Sequence, residues 1–467
     1  MGRQVPPDKV HSEFSRIARA IGRLAWPVLV AQQAVIASGV LDTVMAGHYG
    51  AVDLAAVGIG ASVYFSIFIG LLGVLQALSP VAAQLFGGQH YREIGEATRQ
   101  TAWMAAGLAV IGILLLGFPD PLLQLLGAPA EVALRARAYL VGIAWATPAM
   151  LLFRVFFSLT TAVSRPRAVM FTNLAYLVLK VPLNAMFIYG VFGAPELGGP
   201  GCAVATAIAS WTTCFIAWIY CGTRPFYKPL GVFARWSWPD PRAIGNLLRL
   251  GVPIGLTSFV EVTSFTFIAL FVARLGAATS AGHQIASNMV GILYMFGIAV
   301  GTATGVLTAQ AVGGRDSVRA RQTGFAGMTI MVAISASLGA AILIGAPAIA
   351  QAYTKDPAVQ KLAAQLLLFV AFYELFDTLQ VVIVNALRGY KIAVVPMLVY
   401  TVALWGIGLG GGYTLGLTRL AGADILGLAT PMGVAGFWLA GVASLVVSSL
   451  ILLAYFARVS RPRRLAE

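Results

Sequence analysis

Long apolar stretches alternate with short polar segments along almost the whole of this chain. A run of about 20 mostly apolar residues is long enough to cross a bilayer as an α-helix. Runs of this length cover residues 25–47, 54–78, 98–118, 138–162, 168–191, 200–222, 250–273, 281–308, 322–346, 363–386, 392–413 and 432–456. Two of them depart from a uniform apolar run, since 138–162 contains Arg154 and 392–413 ends with several glycines. The pattern predicts an all-α polytopic membrane protein with twelve transmembrane helices.

The composition agrees with this pattern, because 59% of the residues are hydrophobic and only 10% are charged, whereas soluble domains average about 25% charged. The net charge of +14 is distributed unevenly along the chain. The loops after odd-numbered spans carry only Arg135, Arg137, Arg274, Lys355, Lys361 and Arg419. Most other Lys and Arg residues lie at the termini or in the remaining loops. By the positive-inside rule, this asymmetry predicts cytoplasmic termini, and it gives no support to nucleic-acid binding.

The N-terminal 24 residues lack the apolar core of a cleavable signal peptide, so we expect the first span to act as its own insertion signal. Within them, Ile17, Ile21 and Leu24 recur at helical spacing and predict a short helix on the membrane surface. A partly ordered polar tail is the alternative. The excess of Arg over Lys, with heavy use of Ala and Gly, favours a GC-rich bacterial genome, and we expect a multi-pass protein of the bacterial inner membrane.

The chain also resembles itself. Pro27 aligns with Pro253, Gly50 with Gly276, Ala83-Gln84 with Ala309-Gln310, and Gly87-Gly88 with Gly313-Gly314. The repeat predicts two six-helix lobes, and because each starts on the cytoplasmic side, a pseudo-twofold axis along the membrane normal relates them. The predicted organisation is a cytoplasmic N-terminal segment 1–24, an N-terminal lobe 25–222, a cytoplasmic interlobe linker 223–249, a C-terminal lobe 250–456 and a cytoplasmic tail 457–467. Two such lobes favour transport by alternating access.

Four carboxylates lie inside these apolar spans: Asp42, Glu261, Glu374 and Asp377. An acid at membrane depth costs roughly 2.5–3.5 kcal/mol on insertion scales and usually marks a cation or proton path. Glu374 and Asp377 are three residues apart, so one face of a helix carries both. Two like charges so close in a low dielectric cannot both ionise cheaply, which suits proton uptake or chelation of one monovalent ion. A purely structural role is the alternative for each acid.

Six motifs carry a resemblance to a known family. They are LDTVMAGHYGAVDLAAVGIG (41–60), VAAQLFGG (81–88), LNAMFIYG (183–190), GPGCAVATA (199–207), AGHQIAS (281–287) and AQAVGG (309–314). Each motif alone is weakly specific, because small residues are common in membrane helices. In this order, and with the repeat, they resemble the multidrug and toxic compound extrusion (MATE) family, and within it the NorM-type branch. The resemblance extends from about residue 20 to 456.

The resemblance implies a secondary active antiporter that exports amphipathic, mostly cationic organic compounds, such as drugs and dyes, in exchange for Na⁺ or H⁺. It implies coupling roles for an acid in span 1, one in span 7 and one in span 10, which correspond to Asp42, Glu261 and Asp377. Glu374 joins this set through its spacing from Asp377. The expected partners are small organic cations, the coupling ion Na⁺ or H⁺, and membrane lipids. We expect a monomer that needs no cofactor and is not an enzyme.

Lys180 departs from the family pattern, which commonly has asparagine at this place in span 5. Asn184, one turn later, keeps the amide of the pattern. In such relatives the amides of span 5 neighbour the acid of span 1, so Lys180 is expected to face Asp42. An ammonium there would compete with a bound sodium ion. This favours protons in the N-terminal lobe or an ion site in the C-terminal lobe. The alternative is that Lys180 snorkels to an interface.

Substrate contacts are predicted for Ser258, whose hydroxyl lies near Glu261 in the sequence, and for Tyr294 and Tyr373, whose rings suit cation–π contact with an organic cation. Three other functions compete with drug export. A lipid-linked oligosaccharide flippase of the wider superfamily is expected to have more spans and a basic cleft. A membrane enzyme is expected to show a catalytic or metal constellation at the membrane surface. A channel is expected to conduct without an ion gradient.

Overall fold

The computed structural model describes residues 7–125, 129–418 and 431–461, and every regular element in these ranges is helical. The α-helices are α1 (Pro7–Tyr49), α2 (Ala51–Leu75), α3 (Leu78–Gly87), α4 (Tyr91–Gly117), α5 (Asp120–Leu125), α6 (Ala130–Ala144), α7 (Thr147–Ala162), α8 (Arg167–Tyr189), α9 (Gly201–Thr223), α10 (Pro241–Ala273), α11 (Ala277–Gly313), α12 (Ser317–Tyr353), α13 (Pro357–Gly389), α14 (Val394–Thr401), α15 (Gly411–Leu417) and α16 (Val434–Val459). Short 3₁₀-helices cover Val191–Gly193 and Pro225–Leu230, and a π-helix covers Val402–Gly410. Arg419 and the ends of both predicted terminal segments lie outside the described residues.

The helices confirm the predicted all-α membrane fold. Among the described residues, eleven helical segments are long and apolar enough to span a bilayer, and the pair α6 and α7 makes a twelfth span with a 45° bend. Both spans whose sequences depart from a uniform apolar run have an irregular backbone in the structure. The span that contains Arg154 is broken before α7, where a proline occupies the first turn. The glycine-rich span contains the π-helix Val402–Gly410, which joins α14 to α15.

The chain forms two compact units. The N-terminal unit comprises Trp26–Gly255, and the C-terminal unit comprises Leu256–Glu467 together with the chain up to Ala25. Helices α1 and α10 therefore each contribute to both units. The change of unit occurs close to a proline inside the helix, Pro27 in α1 and Pro253 in α10. Proline removes a helical hydrogen bond and weakens the helix at that point.

The core of the N-terminal unit is built from α2, α4, α6 and α9 around side chains such as Leu116, Leu140 and Ile143. Small residues let α2 and α10 approach closely. A Cβ atom on Gly73 would lie 2.6 Å from the Cα atom of Gly255, a distance that real side chains do not reach. Glycines at such crossings are typical of helix packing inside membranes.

The polar segment 223–249 is held firmly to the N-terminal unit. The Arg99 guanidinium on α4 donates to Ser237 Oγ and to the carbonyl oxygen of Gly231, both at 2.6 Å. Gln100 Nε2 donates to the carbonyl oxygen of Trp238 at 3.0 Å. These bonds fix the path of the chain between α9 and α10.

The C-terminal unit has α13 at its centre, packed against α11, α12 and α16. Its apolar core includes the rings of Tyr373, Phe437 and Trp438. The N-terminal part of α1 also belongs to this unit, where Gln322 Nε2 donates to Glu13 Oε2 at 3.3 Å.

The N-terminal segment differs from the prediction of a short helix on the membrane surface. Residues from Pro7 onward already belong to α1, the same helix that forms the first span. Ile17, Ile21 and Leu24 are all buried, with 7%, 1% and 7% of their surface exposed. Their apolar face packs against protein, whereas the sequence pattern alone is equally compatible with a lipid surface.

Candidate ion-coupling site

The first cluster of buried polar residues lies in the N-terminal unit, between α1 and α8. Lys180 Nζ donates to Asp42 Oδ2 at 2.6 Å and to Ser38 Oγ at 2.9 Å. Asn184 Nδ2, one turn later on α8, donates to Asp42 Oδ1 at 2.8 Å. The predicted contact of Lys180 with Asp42 is confirmed. The snorkelling alternative is wrong, because the Lys180 side chain is only 3% exposed.

The charge of this cluster is balanced without an added ion, although Asn184 Oδ1 is buried and has no hydrogen-bond partner among the described residues. The Lys180 ammonium balances the Asp42 carboxylate, and each oxygen of that carboxylate accepts a hydrogen bond. The ring centroid of Tyr176 lies 5.5 Å from Lys180 Nζ, which adds a cation–π contact. Removing one partner of such a buried pair costs about 3–5 kcal/mol, because the other charge is left uncompensated.

The second cluster lies in the C-terminal unit and contains Glu261, Glu374 and Asp377. Glu261 on α10 is hydrogen-bonded to Tyr294 on α11 and interacts electrostatically with Arg388 at the end of α13. Asp377 interacts electrostatically with Glu261 and with Glu374, which precedes it by one turn of α13. The acids predicted in spans 7 and 10 thus belong to one electrostatic cluster. Within the described ranges, they do not form a ready-made group of three metal ligands.

Glu374 has an unusual environment for a carboxylate. Its residue is 2% exposed, and neither carboxylate oxygen has a hydrogen-bond partner among the residues that the structure describes. The hydroxyl one turn later on α13 already makes other hydrogen bonds. Thr378 Oγ1 donates to the backbone carbonyl of Glu374 at 2.5 Å, and it shares a further bond of 2.6 Å with Ser335 Oγ. A charged carboxylate without donors is costly at such a position.

The three residues predicted to contact substrate lie in the same unit as these acids. Tyr294 is bonded to Glu261, and buried Tyr373 interacts electrostatically with Asp377, Glu261 and Glu374. Ser258 lies on α10 and is partly buried, one turn before Glu261. Their contact with substrate stays a prediction.

Sequence reasoning missed several polar residues of these sites. Ser38 carries no signal of its own, because serine is common in membrane helices. Arg388 sits at a helix end, where a basic residue is expected anyway, and only folding brings it near Glu261. Asp53 is a further buried acid, 3% exposed, but it accepts from Arg135 Nη1 at 2.5 Å and from the Gly199 amide at 2.7 Å. That pairing fixes the loop before α9 and gives Asp53 a structural role.

Comparison with known proteins gives consistent results. The MatE family model matches the chain twice, over residues 27–186 and 253–414, so the two matches begin at the pair of prolines that the internal repeat aligns. The “Probable multidrug resistance protein NorM” of Aromatoleum aromaticum is 41% identical over 446 residues, which are 96% of this chain and 95% of that protein. The “Multidrug resistance protein PmpM” of Pseudomonas aeruginosa is 36% identical over 94% of this chain and 91% of its own.

Solved structures show the same fold at much lower sequence similarity. The crystal structure of the eukaryotic MATE transporter AtDTX14 superposes with a TM-score of 0.85 at 18% identity. The match covers 97% of this chain and 98% of that one.

Proposed function

Since the chain belongs to the MatE family, we propose that it is a secondary active antiporter that exports amphipathic, mostly cationic organic compounds in exchange for Na⁺ or H⁺. The names of its multidrug resistance relatives support the substrate class. The buried acids in two of its spans support coupling to a cation. Bacterial relatives and the charge asymmetry of the loops support a place in the bacterial inner membrane with cytoplasmic termini.

The observation that carries the proposal is the environment of Glu374. A buried carboxylate with no donor in reach must hold a proton or a metal cation, because an isolated charge is too costly in a low dielectric. Asp377 and Glu261 interact electrostatically with this cluster, so binding one cation changes the charge of the whole group. This is the property that a coupling site needs.

Coupling then follows from linkage. The ion and the organic cation must each bind the two transport states with different affinity, since a ligand that binds both states equally shifts nothing. An ion that neutralises the acids lowers their attraction for a cationic substrate. Ion entry from outside therefore favours release of the substrate, and loss of the ion to the cytoplasm restores binding.

The presence of Lys180 gives the two clusters different proposed functions. Because the tethered ammonium already neutralises Asp42 and occupies its oxygen, sodium would have to displace it. We therefore place the exchanging ion in the C-terminal unit, at Glu261, Glu374 and Asp377. Replacing Lys180 with Asn tests this, because it opens Asp42 to an external cation. Unchanged sodium and proton dependence in that variant would contradict the proposal that Lys180 keeps an external cation away from Asp42.

The proposal is tested by efflux of a fluorescent cationic dye from proteoliposomes, with a sodium gradient or a proton gradient imposed separately. We expect one gradient to drive efflux and Asp377→Asn to abolish it while the protein remains folded. Asp53→Asn is a useful comparison, because Asp53 belongs to the structural pair with Arg135 and not to the acid cluster. Movement of no cationic dye under either gradient would contradict drug export and favour the lipid-flippase alternative.

A further inference from the structure

A small cavity lies inside the C-terminal unit, apart from the carboxylates. Its polar lining comes from Ser264 on α10, His283 on α11 and Trp438 on α16, and its walls include the rings of Tyr373 and Phe437. The three polar residues are at most 5% exposed.

Each of the three polar side chains has one atom without a hydrogen-bond partner among the described residues. Ser264 Oγ, His283 Nδ1 and Trp438 Nε1 are buried, and the described residues offer none of them a hydrogen-bond partner. His283 has its other ring nitrogen 3.4 Å from Ser287 Oγ, so only Nδ1 is unpaired. Buried polar atoms without partners are rare in proteins, and several around one cavity indicate a missing polar occupant.

The chemistry of these atoms identifies the occupant. The indole N–H of Trp438 only donates, so it needs an acceptor. Ser264 Oγ both donates and accepts, and His283 Nδ1 does either according to its tautomer. A bare metal cation cannot accept from the indole N–H, whereas water both accepts and donates. Water therefore satisfies all three atoms, which is the usual role of buried water.

The position of the cavity along the helices indicates its function. His283 and Trp438 lie near the starts of α11 and α16, about 9 Å and 6 Å along the axis at 1.5 Å per residue. Those starts lie on the outer side in the topology proposed above. Tyr373, which also lines the cavity, interacts electrostatically with Asp377, Glu374 and Glu261. The cavity thus lies between the outer surface and the acid cluster.

A weakened helix borders the cavity on another side. Leu404 and Gly408, which also line it, belong to the π-helix Val402–Gly410. A π-helical segment is rare and frequently marks a functional site.

We propose that this cavity holds water and forms the outer access route by which the coupling cation, as a proton or a hydrated ion, reaches Asp377, Glu374 and Glu261. The direction of the route rests on the function and topology proposed above. The presence of water in the cavity does not, because it follows from the unpaired atoms alone.

Cysteine accessibility tests the route. In a variant with Cys202, Cys214 and Cys221 replaced by Ala, Ser264→Cys is exposed from the outer side to a small charged methanethiosulfonate. The matched control is Leu439→Cys, beside Trp438 on α16, whose side chain is exposed on the helix surface and which we expect to face lipid. A thiol reacts as its thiolate, which needs water, so Ser264→Cys should react at least about tenfold faster than the control.

Equal or slower labelling of Ser264→Cys would overturn the proposal. If that variant does not fold, His283→Cys gives the same test from α11. Labelling does not depend on transport, so fast labelling combined with absence of gradient-driven efflux would leave the hydrated cavity standing and refute the antiport proposal. Slow labelling combined with normal efflux would refute the route alone.

Discussion

At the scale of single residues, two buried acids show how differently the same group can be used. Asp42 has a counter-ion and two hydrogen bonds, so its charge is balanced within the fold. Glu374 is more deeply buried, at 2% exposed against 8% for Asp42, but its oxygens have no donor among the described residues. The arrangement around Asp42 stabilises a permanent charge, whereas the arrangement around Glu374 favours reversible binding of a proton or cation. The difference lies in the neighbours that folding supplies.

The ion pair in the N-terminal unit should be important for stability. Replacing Lys180 with Met leaves the buried Asp42 charge without its partner and should lower the free energy of unfolding by about 3–5 kcal/mol at neutral pH. Chemical unfolding in detergent micelles measures this. Adding Asp42→Asn to the same variant should restore most of the loss, because it removes the uncompensated charge. A Lys180→Met protein as stable as the original would contradict the role of the pair.

Replacement of Glu374, in contrast, should affect transport more than stability. Replacing it with Gln removes the titratable group but breaks no hydrogen bond of the carboxylate, so stability should change by less than about 1 kcal/mol. Gradient-driven efflux of a cationic dye should fall at least about tenfold, as expected when a buried functional acid is neutralised. A strongly destabilised variant would indicate a structural role, and unchanged efflux would remove Glu374 from the coupling group.

At the scale of helices, the informative features are the positions where a regular α-helix is interrupted. The prolines in α1 and α10 lie where each helix passes from one unit to the other. The break between α6 and α7 and the π-helix after α14 occur in the two spans with irregular sequence. Backbone irregularity is tolerated at membrane depth only where protein or water satisfies the freed groups. These interruptions therefore mark places where packing, rather than hydrophobic length, determines the helix.

The close crossing of α2 and α10 gives a test at this scale. Gly73→Ala should destabilise the N-terminal unit by about 1–3 kcal/mol, because its new methyl group would overlap the backbone of Gly255. Gly70→Ala, one turn earlier on α2, is the matched control because its methyl group would meet nothing within 4 Å. That change should be neutral or stabilise by up to about 1 kcal/mol. Thermal unfolding of the two variants compares them, and equal effects would contradict the packing argument.

At the scale of the whole molecule, twelve spans and the charge asymmetry of the loops are consistent with one topology. An even number of spans places both termini on one side of the membrane, and the positive-inside rule predicts that this side is cytoplasmic. The predicted lobe boundaries and the site assignments both depend on this topology.

Reporter fusions test the topology directly. A green fluorescent protein fused after Glu467 should fluoresce, because this reporter folds in the cytoplasm. Alkaline phosphatase inserted into the loop of residues 193–196 should be active. That loop is predicted to be outside, and the enzyme needs an oxidising compartment. An active phosphatase at the C-terminus would invert the topology and the direction of the proposed access route.

The sequence alone determined the helical class, the number of spans, the internal repeat and the acids inside the membrane. These depend on hydrophobic length, charge placement and local spacing, which are properties of consecutive residues. The contact of Lys180 with Asp42 was also predicted from the sequence, but only through family resemblance. Tertiary structure decided which acids are satisfied, that Arg388 lies near Glu261, and that Ser264, His283 and Trp438 surround one cavity. These contacts join residues far apart in the chain, and no local pattern encodes the partner of a buried polar atom.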